Sequence, residues 1–251
     1  MSDARKILVV TGGGRGIGAA TAVAAARAGW DVCIGFAGNH EAAEAVVGRV
    51  AAAGGRAMSV AGDVSVEADV IRLFDECAAR LGSPAGLVNN AGITGRIGKV
   101  ADVSAETLDQ VFRVNVLGAF LVAREAIRRM STARGGAGGV IVNISSGAAT
   151  RGSANEFVWY AASKGAIDTM TLGLAREVAG EGIRVLGIAP GLTETELHAA
   201  AGEPGRVARM SSLVPLGRAA SAEEIAGQIV FLLSDAAAYC HGATLRATGG
   251  L

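Results

Sequence analysis

Short apolar runs at residues 7–10, 32–36, 57–61, 86–88, 140–144 and 184–188, with a weaker one at 243–246, alternate along this chain with Ala-rich stretches near 17–28, 40–53, 67–81, 105–130, 158–180 and 222–234. The short runs are apolar on consecutive positions, as in strands covered on both faces, and the long ones have helical length and spacing. Strands alternating with helices predict right-handed βαβ units, hence an α/β fold with a parallel sheet between helical layers. No linker, tandem repeat or compositional break divides the chain, so 1–251 reads as one domain. The stretch from about 192 to 214 lacks strong periodicity and reads as an excursion from the core.

Ligands of open parallel sheets bind at the carboxyl ends of the strands, and the unusual residues of this chain fall there. Thr11-Gly12-Gly13-Gly14-Arg15-Gly16-Ile17-Gly18 follows the first predicted strand and Gly62-Asp63-Val64 the third. Asn89-Asn90-Ala91-Gly92 follows the fourth, Ser145-Ser146 the fifth and Pro190-Gly191 the sixth. Five such clusters at one sheet edge make a site. In the first, Gly12, Gly16 and Gly18 let a strand turn sharply into a helix whose free N–H groups and positive dipole end suit a pyrophosphate. The spacing is G-x-x-x-G-x-G, not the usual dinucleotide fingerprint.

A site for NAD commonly has an acid at the end of the second strand, for the ribose 2′-hydroxyl. Here that place holds Phe36-Ala37-Gly38-Asn39, and Asp31 lies at the strand's other end. Arg15, inside the glycine loop, offers a cation for a 2′-phosphate. The expected cofactor is therefore NADP(H), with NAD(H) the alternative.

Tyr160 and Lys164 are four residues apart at the start of a predicted helix, which puts them on one face. A phenol near an ammonium and a cationic nicotinamide ring is expected to become more acidic, suited to giving a proton to a carbonyl or taking one from an alcohol. Ser146, just past a strand, offers a hydroxyl to the same oxygen. Asn115 falls on the apolar face of the 105–130 helix, with Leu108, Val111, Phe112, Ala119 and Val122. A buried amide needs partners: either the backbone satisfies it at a cap or kink, or it belongs to a proton relay through water.

Composition narrows the field. Hydrophobic residues make up 51% and charged ones 18%, against disorder, and Lys plus Arg equals Asp plus Glu at 23 each, which gives no basic field for nucleic acid or a membrane surface. Cys33, Cys77 and Cys240 show no CxxC spacing, and His40, His198 and His241 are scattered, so no metal site is expected. The start MSDARK runs straight into ILVV with no signal-like segment, and no apolar run has membrane-spanning length; a cytoplasmic protein is expected.

Taken together, TGGGRGIG at 11–18, GDV at 62–64, NNAG at 89–92, Asn115, ISS at 144–146, YAASK at 160–164 and PGLTET at 190–195 resemble the short-chain dehydrogenases/reductases along essentially the whole chain. The later part is similar to a bacterial group of glucose dehydrogenase-like and 3-oxoacyl reductase-like members. The resemblance implies a three-layer Rossmann fold, a seven-stranded parallel sheet in the order 3-2-1-4-5-6-7, and a homotetramer. It implies that Gly12, Gly16, Ile17 and Gly18 cradle the pyrophosphate, that Asp63 and Val64 meet the adenine, and that Asn90, Ala91 and Gly92 lie along the cofactor. Pro190, Gly191, Thr193 and Thr195 would reach the carboxamide end. Tyr160 would be the acid/base, Lys164 would hold the ribose and acidify the phenol, Asn115 would hold a relay water, and Ser146 would orient the substrate, chosen over Ser145 by its distance before the tyrosine. Leu186 stands where the family often has Asn. The segment 192–214 matches the substrate-covering region, and its charges, Glu194, Glu196, His198, Glu203, Arg206 and Arg209, read mostly as a solvated, mobile lid. Ser153, Asn155 and Glu156 are candidate partners for a polar substrate, and Arg128 and Arg129 for an acyl-carrier one. The expected activity is hydride exchange with a small carbonyl or alcohol; a cofactor-binding regulator without turnover is the alternative.

Overall fold

The computed structural model describes residues 5–251. Seven strands, β1 (Lys6–Thr11), β2 (Trp30–Phe36), β3 (Ala57–Ala61), β4 (Gly86–Asn89), β5 (Gly139–Ile144), β6 (Ile183–Pro190) and β7 (Thr244–Ala247), form one sheet in the order β3-β2-β1-β4-β5-β6-β7. Every neighbouring pair is parallel. The order reverses between β1 and β4, which opens a crevice at their carboxyl ends. This is the expected three-layer Rossmann topology.

Alternation along the strands explains the layers. Leu8 and Val10 of β1 point to one face, where α1 (Gly16–Arg27), α2 (His40–Ala52) and α10 (Ala222–Leu233) bury Ala22, Val46, Val50, Ile225 and Ile229 against them. Ile7 and Val9 point to the other, covered by α3 (Glu67–Arg80), α5 (Ala119–Met130) and α7 (Val158–Val178) through Phe74, Val122, Met130 and Val178. Each such fully buried aliphatic side chain contributes about 1.5–3 kcal/mol. Cys33 and Cys77 belong to the second cluster, as small buried hydrophobes. Leu186, the departure from the family pattern, is a buried core residue of the first cluster. Among the described residues no helix is long and apolar enough to cross a membrane.

Two features depart from the pattern. The helix expected over 105–130 is α4 (Ala105–Phe112), a π-helical turn (Arg113–Gly118) and α5. The excursion at 192–214 contains two short helices, α8 (Leu197–Ala200) and α9 (Arg206–Ser211), and a further short helix, α6 (Ala148–Arg151), follows β5. At the amino edge of the sheet, Asp31 is 1% exposed and accepts hydrogen bonds from Arg5 Nε at 3.0 Å, Arg56 N at 2.9 Å and Arg56 Nε at 2.7 Å. Burial would raise its carboxyl, but the hydrogen bonds and charge of Arg56, joined by Arg5, outweigh it and hold the group below the usual carboxylate range. Asp31 thus serves the sheet and stands at the opposite edge from the site.

Candidate active site

The exits of β1 and β4 are tied together. Thr11 is fully buried, and its Oγ1 accepts from Asn90 N at 3.0 Å and Ala91 N at 3.1 Å. In return Asn90 Nδ2 donates to Thr11 O at 2.9 Å and Gly12 O at 3.1 Å. This exchange fixes the glycine loop in a shape that needs its glycines. Gly12 has φ +61° and Gly16 φ +52°, the left-handed region that favours glycine. A Cβ on Gly18 would stand 2.4 Å from Gly12 O. Beyond the loop, α1 begins with no capping side chain and no acidic residue in its first turn. Its first N–H groups and its positive dipole end face a cleft without compensation.

That cleft, of about 500 Å³, runs from Phe36–Asn39 at the end of β2 past the glycine loop, Asp63 and Val64, then Asn90, Ala91 and Gly92, to Thr195. No acid lies at the end of β2; Asn39 instead caps α2, its Oδ1 accepting from Ala42 N at 3.0 Å. Arg15 lines the cleft wall. Asp63 spends Oδ1 on Ser65 N at 2.8 Å, which fixes the turn after β3.

A second cavity, of about 130 Å³, adjoins the first and shares Ile17, Asn90, Gly92 and Thr195 with it. Ser146, Tyr160, Lys164, Pro190, Gly191 and Thr193 line it. Thr193 is held by its own loop: Oγ1 donates to Gly191 O at 3.2 Å, and its carbonyl meets His198 Nε2 at 3.0 Å. Ser145 is buried and its hydroxyl is spent on Lys164 O at 3.2 Å. Ser146 Oγ accepts from Ala148 N at 3.1 Å, which leaves its own hydrogen for the cavity.

Lys164 is 4% exposed, and Nζ lies 5.8 Å from the centre of the Tyr160 ring and donates to Ile144 O at 2.7 Å. Burial pulls its pKa down to about 8, against the opposing charge of Asp168. The Tyr160 phenol shifts in the opposite direction from Lys164. Burial raises its pKa above the ordinary value, with only partial relief from the Ser146 hydroxyl and the charge of Arg206. The ammonium is engaged with a carbonyl, and desolvation of the phenol decides.

Asn115 is 1% exposed and sits in the π-helical turn. Its Oδ1 accepts from Ile93 N at 2.8 Å, and Nδ2 donates to Ile93 O at 2.8 Å and to Ser163 Oγ at 2.9 Å. Ser163 Oγ in turn donates to Tyr160 O at 2.7 Å. The amide side chain is thus satisfied by Ile93 and Ser163.

Of the lid charges Glu194, Glu196 and Arg209 are exposed, as expected, while Arg206 is not. Arg206 is 8% exposed and donates to Glu156 Oε2 at 2.5 Å; Arg209 donates to Glu156 Oε1 at 2.7 Å and to Glu203 Oε1 at 2.6 Å. Glu156 is therefore spent on guanidinia and is not a free partner for a polar substrate. Its link to Arg206 spans 50 residues of sequence, and no local pattern announces it. Arg128 and Arg129 are likewise paired, both with Glu125, away from either cavity.

Residues 12–251 match the family model described as Enoyl-(Acyl carrier protein) reductase. The oxidoreductase YgfF of Escherichia coli (strain K12) is 47% identical over 244 residues, 97% of this chain and 99% of that protein. A short-chain type dehydrogenase/reductase from Mycobacterium marinum superposes with a TM-score of 0.92 at 31% identity, over 99% of this chain and 96% of that one. Two further structures superpose at TM-score 0.89 and 33% identity, over 98% of this chain and 97% of each. One is a short chain dehydrogenase of Burkholderia cenocepacia in complex with NADP, the other a 3-ketoacyl-(acyl-carrier-protein) reductase of Brucella melitensis complexed with NADH.

Proposed function

Because this chain belongs to the short-chain dehydrogenase/reductase family and is an oxidoreductase of that kind, we propose that it exchanges a hydride between NADP(H) and a carbonyl/alcohol pair, with Tyr160 as proton donor and acceptor. The observation that carries this reading is the meeting of Ser146, Tyr160 and Lys164 in the wall of a cavity that opens into the glycine-lined cleft.

The cleft fits a dinucleotide phosphate. Gly12, Gly16, Ile17 and Gly18 with the uncapped start of α1 hold the pyrophosphate; Asp63 and Val64 take the adenine; Asn90, Ala91 and Gly92 follow the cofactor. Pro190, Gly191, Thr193 and Thr195 take the carboxamide end, and Arg15 meets the 2′-phosphate. The bound nicotinamide supplies or accepts the hydride. The related structures hold NADP in one case and NADH in another, so the preference rests on Arg15 and on the missing acid after β2.

Around the reacting oxygen, Ser146 donates its free hydroxyl hydrogen and Tyr160 transfers the proton. Burial keeps the phenol protonated at neutral pH, which suits reduction of a carbonyl. Reduction should fall as pH rises through the raised pKa of Tyr160, and alcohol oxidation should rise. Lys164 holds the ribose, and Asn115 acts as a clamp beneath Tyr160. The chain works as one domain, 1–251, with 192–214 covering the substrate, in a homotetramer and in the cytoplasm; sizing chromatography tests the assembly.

Consumption of NADPH against a panel of ketones and sugars tests the activity, and Tyr160→Phe should lower it by about 100- to 10,000-fold. Retention of most of the rate refutes the role of Tyr160, and tight NADPH binding without any turnover would favour a silent binding protein. Arg15→Ala should lower kcat/KM with NADPH more than with NADH; equal effects refute the cofactor assignment.

A further inference from the structure

One guanidinium in the smaller cavity has no part in hydride transfer. Arg206, the first residue of α9, lies over the Phe157 ring, 5.3 Å from its centre, and forms part of the cavity wall. Among the described residues its side-chain hydrogen bonding is limited to Nη2 on Glu156, and its Nε is buried with no partner there. Glu156 is itself shared with Arg209. The turn that sets Glu156 in place holds Ser153 at φ +47° and Asn155 at φ +62°, both in the left-handed region.

A guanidinium presents five N–H donors in a planar fork that matches a carboxylate. Burying one with donors unused costs free energy unless an acceptor arrives. The Phe157 ring on which Arg206 stacks meets the Tyr160 ring edge-on at 6.4 Å between centres, and Arg206 and Tyr160 line the same cavity. Apolar Ile144, Leu192 and Met210 also line this cavity, as does Arg151 of α6.

We propose that Arg206, held by Glu156, is the subsite for a carboxylate on the substrate. The substrates are then oxo acids and hydroxy acids with an apolar ring or chain between the reacting carbon and the carboxylate. This rests on the carbonyl/alcohol reading above, and the test separates the two.

Turnover with NADPH is measured on laevulinate and oxocyclohexanecarboxylate, each against its methyl ester, in the wild type and in Arg206→Gln and Arg206→Lys. The wild type should favour the acids. The acid-to-ester ratio of kcat/KM should fall on the order of 30-fold in Arg206→Gln, the size of a lost charge-assisted hydrogen bond. Arg206→Lys, which keeps the charge and loses the fork, should fall between, and it replaces the glutamine variant if that one does not fold. An unchanged ratio in a folded variant, or a wild type that favours the esters, overturns the subsite. Calorimetric binding of cyclohexanecarboxylate against cyclohexanecarboxamide, with NADP bound, needs no turnover. Preference for the acid that Arg206→Gln removes supports the subsite even if no ketone is reduced, in which case the hydride-transfer reading alone fails. Equal binding of acid and amide overturns the subsite whatever the turnover.

Discussion

Replacing Lys164 with methionine tests the electrostatics of the site through stability alone. Burial has moved the ammonium from the ordinary lysine value of 10.5 to about 8. At about 1.36 kcal/mol per pKa unit, the folded chain at neutral pH holds this charge at a cost of about 3 kcal/mol. Between pH 8 and 10.5 the unfolded chain keeps a proton on Lys164 that the folded chain has released. Unfolded binding of more protons means that stability rises with pH across this window. Methionine has no such titration. The unfolding free energy of the wild type minus that of Lys164→Met should therefore climb by about 3 kcal/mol between neutral pH and the top of the window. The lost hydrogen bond to Ile144 O shifts this difference by a constant and leaves its slope intact. Urea unfolding of both proteins, followed by circular dichroism over a pH series, gives the curve. A flat difference, or one that falls with pH, would refute the claim that desolvation governs this ammonium.

Three other substitutions probe the frame around the site. Gly18→Ala puts a methyl 2.4 Å from Gly12 O and 2.7 Å from Asn90 Nδ2; about 1–3 kcal/mol of stability should be lost by thermal unfolding, together with NADPH affinity by fluorescence titration. Ser221→Ala removes the hydroxyl that accepts from Glu224 N at 3.1 Å in the capping box of α10, and should cost about 1 kcal/mol in urea unfolding. The carboxylate of that box is held down to about 2 by Arg218, so its support should be complete above the ordinary glutamate value and fade as pH falls towards 2, as an acid melting series would record. Asn115→Ala leaves both polar groups of Ile93 and the Ser163 hydroxyl without their amide partner, and should lower kcat more than it raises KM in steady-state assays.

The strands were legible because β-sheet residues buried on both faces must be apolar at successive positions, as Leu8, Val9 and Val10 are. The five clusters at the carboxyl edge followed from the topology, and Thr11, Gly12 and Asn90 do meet there. What escaped has a physical reason in each case. The π-helical turn at Arg113–Gly118 was hidden because Val111, Asn115, Ala119 and Val122, all buried, are spaced as on an ordinary helix, whereas Phe112, expected on the same face, is exposed. The direction of the Tyr160 shift depends on how deeply the phenol is buried and on where the ammonium points, and neither is encoded in a four-residue spacing. The Glu156–Arg206 pair joins a loop before α7 to the lid, and distant charges carry no periodicity. A buried polar chain, Asn89 Nδ2 to Asn143 Oδ1 at 3.2 Å and Asn143 Nδ2 to Thr171 Oγ1 at 3.0 Å, was likewise hidden within strand and helix patterns.

The amide of Asn115 has a wider consequence. One side chain pins the segment after β4 at both polar groups of Ile93 and, through Ser163, grips the turn that carries Tyr160. The segment after β4 and the helix that carries Tyr160 are thereby stapled together, while the wall that carries Arg206 is tied instead to Glu156. Amide exchange at Ile93 and Ser163 should slow or quicken in step, while α9 keeps its own rhythm. If Tyr160 moves the proton as proposed, the residue that does so is held from below by a staple that a substrate does not have to break.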